Sequence, residues 1–292
     1  MIKIKVDEIF QSVDGIKRLD AVNGRHYVNS NDDLPDPKPS VTTVIDSISK
    51  GYAFAKWLGD SLSYKHAMQY ANLKAAIGTV VHAMAEYQLR YPKAVISIDE
   101  FIDPVSDLYV DTGVRFTEED KDSISKCFMG LFQFLGDNDI TVEALEIQMW
   151  HKDVPFSGTC DLICKGKIKS YGGRKKAPNP NRSLRYLIDF KTGNDYKTHQ
   201  LQLIFYKILF QKIYRKRVDK IATLYIKDTW NARPTYSLKE YDYEPKLAKT
   251  VVDLYKWIND VKGDIFHAKM RRNYPKTFSL LTQAKGVYNG WQ

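Results

Sequence analysis

"YLIDFKTG", residues 186–193, sets Asp189 and Lys191 two positions apart in an otherwise apolar, β-prone run. Alternate side chains of a strand share a face, so the carboxylate and the amine point from one edge of a sheet into one small volume. That is an ordinary ion pair or a chemical arrangement. The same D-x-K spacing recurs at Asp36, Asp195 and Asp260, in segments that read as loops or a helix surface, where solvated charge suffices as explanation. Only the surroundings of residues 186–193 can set it apart from the other three.

Upstream, "ITVEALEIQMW" and "VPFSGTCDLIC" read as two strands of a hairpin joined by the polar "HKD". Asp161 lies in the second of them. Between it and Asp189 runs the basic stretch 165–185, "KGKIKSYGGRKKAPNPNRSLR", with eight Lys or Arg and no acid. Gly172, Gly173, Pro178 and Pro180 mark it as a loop or a long hairpin tip. Downstream come a helix over 197–214, the strand-like "KIATLYIKD" and "PTYSLKEYDY", and a helix over 245–261. Residues 52–89 are helical in pattern, broken once or twice, and a further helix over 117–135 opens with "TEED", whose acids suit a helix N-terminus. The first forty residues read as short strands and loops ending in "NDDLPDPKPSVTTV", where Ser40 or Thr42 can cap a helix.

This order predicts an α/β fold of mixed α+β type, a central mixed β-sheet flanked by helices. We expect one elaborated domain: an N-terminal extension over 1–50 packing on a core over 51–262, with the basic insertion 165–185, and a tail over 263–292. A chain of 292 residues with 43% apolar side chains can bury a sizeable core. The net charge of +9 favours a polyanionic partner, and the insertion alone carries nearly all of that surplus. Cys127, Cys160 and Cys164 sit in helix-like or strand-like sequence without a second pair, which predicts buried free thiols in a reducing compartment. No apolar run approaches a membrane span, and "MIKIKVDEIF" alternates like a strand rather than a signal peptide, so the expected location is cytoplasmic, with no membrane partner.

If the strands of Asp161 and Asp189 are neighbours, two carboxylates and one ammonium converge. Paired acids with oxygen ligands to spare suit a hard divalent cation such as Mg²⁺ or Mn²⁺, and Lys191 beside it can orient a water or stabilise developing charge. In "QLIFY", Gln202 and Tyr206 stand four residues apart on one helical face, and "GTVVHAMAE" puts Gly78, His82 and Glu86 at successive four-residue steps. Read alone, His82, Glu86 and Glu146 are more often satisfied core or surface polars than ligands.

Together, "GTVVHAMAE", Glu146, "GTCD", "IDFKTG" and "QLIFY" resemble the RecB-type branch of the PD-(D/E)XK nucleases, whose signature is a His-bearing helix, then G-x-x-D, D-x-K and Q-x-x-x-Y. The upstream "PSVTTVI" followed by "KWLGD" is similar to bacteriophage exonucleases and to the mitochondrial genome maintenance exonuclease group. The resemblance covers roughly residues 24–230, and its specificity lies in the order of motifs that are each weak alone. It implies a restriction-endonuclease-like core in which Asp161, Asp189 and the carbonyl of Phe190 ligate a metal that His82 approaches. It implies that Lys191 is the catalytic lysine and that Glu146 supports the site or a second metal. Gln202 and Tyr206 would position DNA or brace the lysine strand. Members with an iron-sulfur cluster carry cysteines bracketing the core; the three cysteines here lie inside it, so no cluster is expected.

The implied activity is a Mg²⁺- or Mn²⁺-dependent DNA exonuclease acting at ends or on single strands in phage-type replication, recombination or repair, in the host-cell cytoplasm if phage-encoded. The alternatives are a structure-specific endonuclease and a non-catalytic DNA-binding partner of recombination or replication proteins. Arg174, Lys175, Lys176 and Arg182 of the insertion, and the segment 212–220, are the expected phosphate contacts. Trp57, Tyr64 and Tyr70 are candidates for stacking on unpaired bases.

Overall fold

A computed structural model describes residues 5–21, 24–31, 37–48, 51–91, 93–172, 175–229 and 235–261. In chain order the elements are β1 (Lys5–Val6), β2 (Ile16–Ala21), β3 (Gly24–Asn29), β4 (Lys38–Pro39), α1 (Val41–Ile45), α2 (Gly51–Asp60), α3 (Tyr64–Arg90), α4 (Asp99–Leu108), α5 (Glu118–Asp137), β5 (Asp139–Met149), β6 (Gly158–Lys167), β7 (Ser170–Gly172), β8 (Lys175–Lys176), β9 (Leu184–Lys191), α6 (Lys197–Tyr214), β10 (Lys220–Lys227), β11 (Thr235–Tyr241) and α7 (Pro245–Val261).

The core is a six-stranded mixed sheet in the order β1-β5-β6-β9-β10-β11. β5, β6 and β9 are antiparallel neighbours, whereas β9 and β10 run parallel, with α6 as the crossover between them. Helices cover both faces, so the sheet is a mixed α/β one as the element order predicts. One apolar cluster joins α3, α4 and α5 to Val142, Leu162, Ile188 and Leu224. The other joins α1, α6 and α7 to Ile147, Ile163, Leu187 and Ile221. A strand covered on both faces must be apolar at nearly every position, which is why β9 reads as a continuous run rather than an alternation.

Local chemistry starts α1 and α5 where the sequence predicts and sets the start of α3 as well. Ser40 accepts from the Thr43 N–H to cap α1, Ser63 accepts from His66 N–H at 3.1 Å to cap α3, and Thr117 with Asp120 forms a capping box on α5. α4 is an addition to the sequence reading: Pro104 lies inside it and hides the helical signal, while the burial of Ile102 and Val105 against the α3 side holds it.

The N-terminal segment does more than pack on the core, since β1 pairs in parallel with β5 and extends the central sheet. The basic stretch 165–185 is more ordered than a loop. Lys165 and Lys167 belong to β6, Arg185 belongs to β9, and β7 and β8 form a small ribbon between them. The ribbon packs on the far edge strand: Tyr171 donates to Glu240, and a Cβ at Gly172, whose φ is +105°, would lie 1.9 Å from the Tyr236 carbonyl oxygen. Gly173 and Arg174, and the expected tail over 263–292, fall outside the described residues.

Candidate metal centre and active site

β6 and β9 pair from Gly166↔Leu184 to Leu162↔Ile188, and there the ladder stops. Beyond it the Asp161 carboxylate accepts the Phe190 N–H at 2.6 Å, filling the place of the next main-chain partner. The two strands part around a carboxylate. This opening lies at the carboxyl ends of the parallel pair β9 and β10, the end at which parallel sheets leave room for ligands.

Two irregularities turn acids into the opening. Glu146 has φ 45°, a left-handed conformation that a residue with a Cβ adopts only where its surroundings hold it. Its neighbours Leu145 and Ile147, which would share a face in a regular strand, therefore enter opposite cores. β6 makes the matching switch, because Leu162 and Cys160 also lie in opposite cores. The pairs Leu145↔Leu162 and Ile147↔Cys160 bracket Glu146 and Asp161, so the two acids stand across from one another at the same switch point.

From α3, His82 completes the group. Its Nε2 donates to the Phe190 carbonyl at 3.2 Å, and its Nδ1 lies 3.4 Å from Glu146 Oε1 and 3.6 Å from Asp161 Oδ2. One ligand atom from each of His82, Glu146 and Asp161 lies within 4.8 Å of the others. Asp189, 1% exposed, sits beside them with Oδ2 2.5 Å from Lys191 Nζ. Gln202 Nε2 donates to Asp189 Oδ1 at 3.1 Å and to the Tyr206 hydroxyl at 2.8 Å. Gln202 and Tyr206 are both buried, so the contacts they make are those of a brace under the strand of Lys191.

The electrostatics set burial against a cluster of opposite charges. Burial pushes the Asp189 carboxyl above the usual range, opposed first by Lys191, and it pushes Asp161 up as well, opposed first by His82. For His82 burial alone would lower the pKa, but Asp161 and Glu146 outweigh it and raise the imidazole to about 9. Burial would likewise lower Lys191, and Asp189 and Asp161 overcome it to hold the ammonium charged. Just behind, burial and then Glu146 push Glu86 up to about 8, against Arg90. Arg90 Nη2 lies 3.1 Å from Glu86 Oε1 and donates to the Leu145 carbonyl at 3.1 Å, which ties the backbone before Glu146 to α3. Arg90 stands four residues after Glu86, so their pairing on one helical face is legible in the sequence as well.

The phosphate-contact expectations fare differently. The segment 212–220 lies where β10 begins, whereas the site lies where β9 ends; Tyr186, the partner of Lys220, is five residues from Lys191, about 17 Å at the usual strand rise. That segment does not border the opening, and its Lys212, Arg217 and Lys220 pair with Asp153, Asp219 and Glu240. Lys175, Lys176 and Arg182 are exposed; the ribbon carrying the two lysines packs on β11 and α5 rather than beside the parting of β6 and β9. Tyr64 and Tyr70 are exposed, and Trp57 is half-buried against Phe54.

No family model matches the chain, and no curated protein matches it. No helix among the described residues is long and apolar enough to cross a membrane.

Proposed function

We propose that this chain is a divalent-metal-dependent deoxyribonuclease, an exonuclease hydrolysing phosphodiester bonds from DNA ends or single strands in phage-type replication, recombination or repair. The reading rests on one observation: five groups far apart in sequence, His82, Glu146, Asp161, Asp189 and Lys191, meet where two strands part.

The donor set fits a hard cation. Asp161, Asp189 and Glu146 with the Phe190 carbonyl offer oxygens, His82 offers a nitrogen that Mn²⁺ tolerates well, and burial raises the Asp161 and Asp189 carboxyls against His82 and Lys191, a cost that a bound cation would offset. Asp161, Glu146 and His82 would hold the cation, with Asp189 alongside. When bound, the cation supplies neutralisation of the phosphoryl oxygens and acidifies an attacking water. The chain's own groups do the positioning. Lys191 Nζ, kept charged by Asp189, can donate to the attacking water or to an oxygen gaining charge in the transition state. Gln202 and Tyr206 fix the Asp189 carboxylate so that Nζ is aimed rather than free.

The test is a cleavage time course in Mg²⁺, Mn²⁺ or EDTA on linear DNAs labelled at either end, single- and double-stranded, beside a circular single strand and the Lys191→Ala protein. Metal-dependent loss of the linear substrates alone, abolished in the variant, is expected, and the label released first gives the polarity. Cleavage of the circle would make it an endonuclease. No cleavage with salt-sensitive binding intact would make it a DNA-binding partner instead.

A further inference from the structure

Gly78 lies in the interior of α3, a 27-residue helix, where glycine weakens the helix relative to alanine. Packing gives no reason for it. A Cβ at that position would meet only Thr192 Oγ1 at 3.5 Å, an ordinary contact, and its backbone is in the common helical region. The position is nevertheless a particular one. It is one turn from His82 on the same side of α3, and Thr192 directly follows Lys191, so the seam between Gly78 and Thr192 is the lip of the site.

Two cations flank this lip. One further turn out along α3 is the exposed Lys74, whose Nζ stands 5.6 Å from the centre of the exposed Tyr70 ring. On the other side Lys227, at the end of β10, donates to the Gly193 carbonyl at 3.4 Å. Asp228, which follows Lys227, carries the nearest acid in sequence, and the Cys127 thiol feels this carboxylate as well as the two lysines. Among the described residues neither has a carboxylate within ion-pair distance, unlike the lysines of segment 212–220. Tyr70, Lys74, Gly78 and His82 thus form a stripe with steps of about 6 Å, running from an exposed ring through the cation beside it and a bare backbone to the proposed metal.

We propose that the Gly78–Thr192 seam is the floor over which the phosphodiester backbone of the substrate strand enters the site, with Lys74 and Lys227 neutralising its phosphates and Tyr70 carrying a base. The inference rests on the nuclease reading and names the surface through which it acts. A small residue is required there because a side chain reaching well beyond Cβ would stand between the strand and His82, whereas a Cβ alone meets only Thr192 Oγ1 at 3.5 Å.

The experiment measures binding of the full chain to a labelled single-stranded oligonucleotide by fluorescence anisotropy, in EDTA and over a range of salt. It compares Lys74→Ala/Lys227→Ala with Lys216→Ala/Arg217→Ala, which removes equal charge from the opposite end of β10, and Gly78→Ala with Gly78→Leu. The first pair should lose about tenfold in affinity and about 1.4 in the salt slope, two contacts at roughly 0.7 each, with the second pair unchanged. Gly78→Ala should melt a few degrees higher and bind normally, while Gly78→Leu should melt no lower than wild type and lose binding. Equal losses in both lysine pairs, or a folded Gly78→Leu that binds as wild type, overturn the proposal; if Gly78→Leu does not fold, the two charge pairs decide. Should wild type still cleave DNA in Mn²⁺ when that happens, only the strand path is lost. A wild type that neither cleaves nor binds removes both readings.

Discussion

Gln202 holds Asp189 from below: its side-chain amide donates to Oδ1 at 3.1 Å while Lys191 takes Oδ2 at 2.5 Å. A buried carboxylate with an oxygen left unpaired costs about 1–3 kcal/mol. Gln202→Leu should therefore destabilise the protein by that amount and lower the cleavage rate. Denaturant unfolding alongside the cleavage assay checks both, and a variant with full activity would show that Lys191 needs no brace.

Gly158 should not accept a side chain. A Cβ there would lie 2.6 Å from Tyr206 Cε1, and the Tyr206 ring is buried. Gly158→Ala must push that ring and through it Gln202, so we expect about 1–3 kcal/mol of lost stability from overpacking, together with reduced activity. A second substitution at the crowded partner, Tyr206→Leu, should return part of the stability and none of the activity.

Glu146 pays for its conformation. Left-handed backbone in a residue with a Cβ costs roughly 1–2 kcal/mol, so Glu146→Gly should be more stable than Glu146→Ala by about that much, the reverse of their usual order in a strand. Both should lose Mn²⁺ binding, read by calorimetric titration. Equal stability of the two variants would mean that the backbone relaxes freely and that φ 45° is not imposed by the fold.

The metal-free protein should lose stability as pH rises from 6.5 to 9. His82 goes from 6.5 to about 9 on folding, so its contribution is complete below 6.5 and gone above 9. Glu86, raised from 4.5 to about 8, acts with the same sign, because the folded chain keeps a proton that the unfolded chain has released. The other shifted histidines, His26, His151 and His199, are lowered and act below 6.5. Melting temperatures across this range should fall without metal, and Mn²⁺ should flatten the profile, since its ligands bind deprotonated. Glu86→Gln should remove part of the slope; a flat metal-free profile would contradict the raised values.

Much of the fold was legible because short-range rules govern it. The β-prone run at 186–190, apolar but for Asp189, reads as a strand and is one, the pattern over 52–89 is broken after Asp60 into two helices, and Ser40 and Thr117 announce their helices by side-chain capping. The spacing of Asp189 and Lys191 already put them on one side of a strand. Pro104 masked α4 because proline removes a helical hydrogen bond whatever its surroundings offer, and the surroundings were not visible.

What the sequence by itself determined is the order of the elements, a mixed sheet, and the acids, lysine and His-bearing helix it offers as candidates. Tertiary structure alone decided that Glu146 faces Asp161 across a switch in two strands, that Asp161 takes the Phe190 N–H where the ladder ends, and that the basic segment 212–220 lies at the far end of β10. The reason is physical. Periodicity reports which face a residue shares with its neighbours in a regular element, while a positive φ, a parted ladder and the end of the sheet at which a segment lies arise from contacts between residues tens of positions apart.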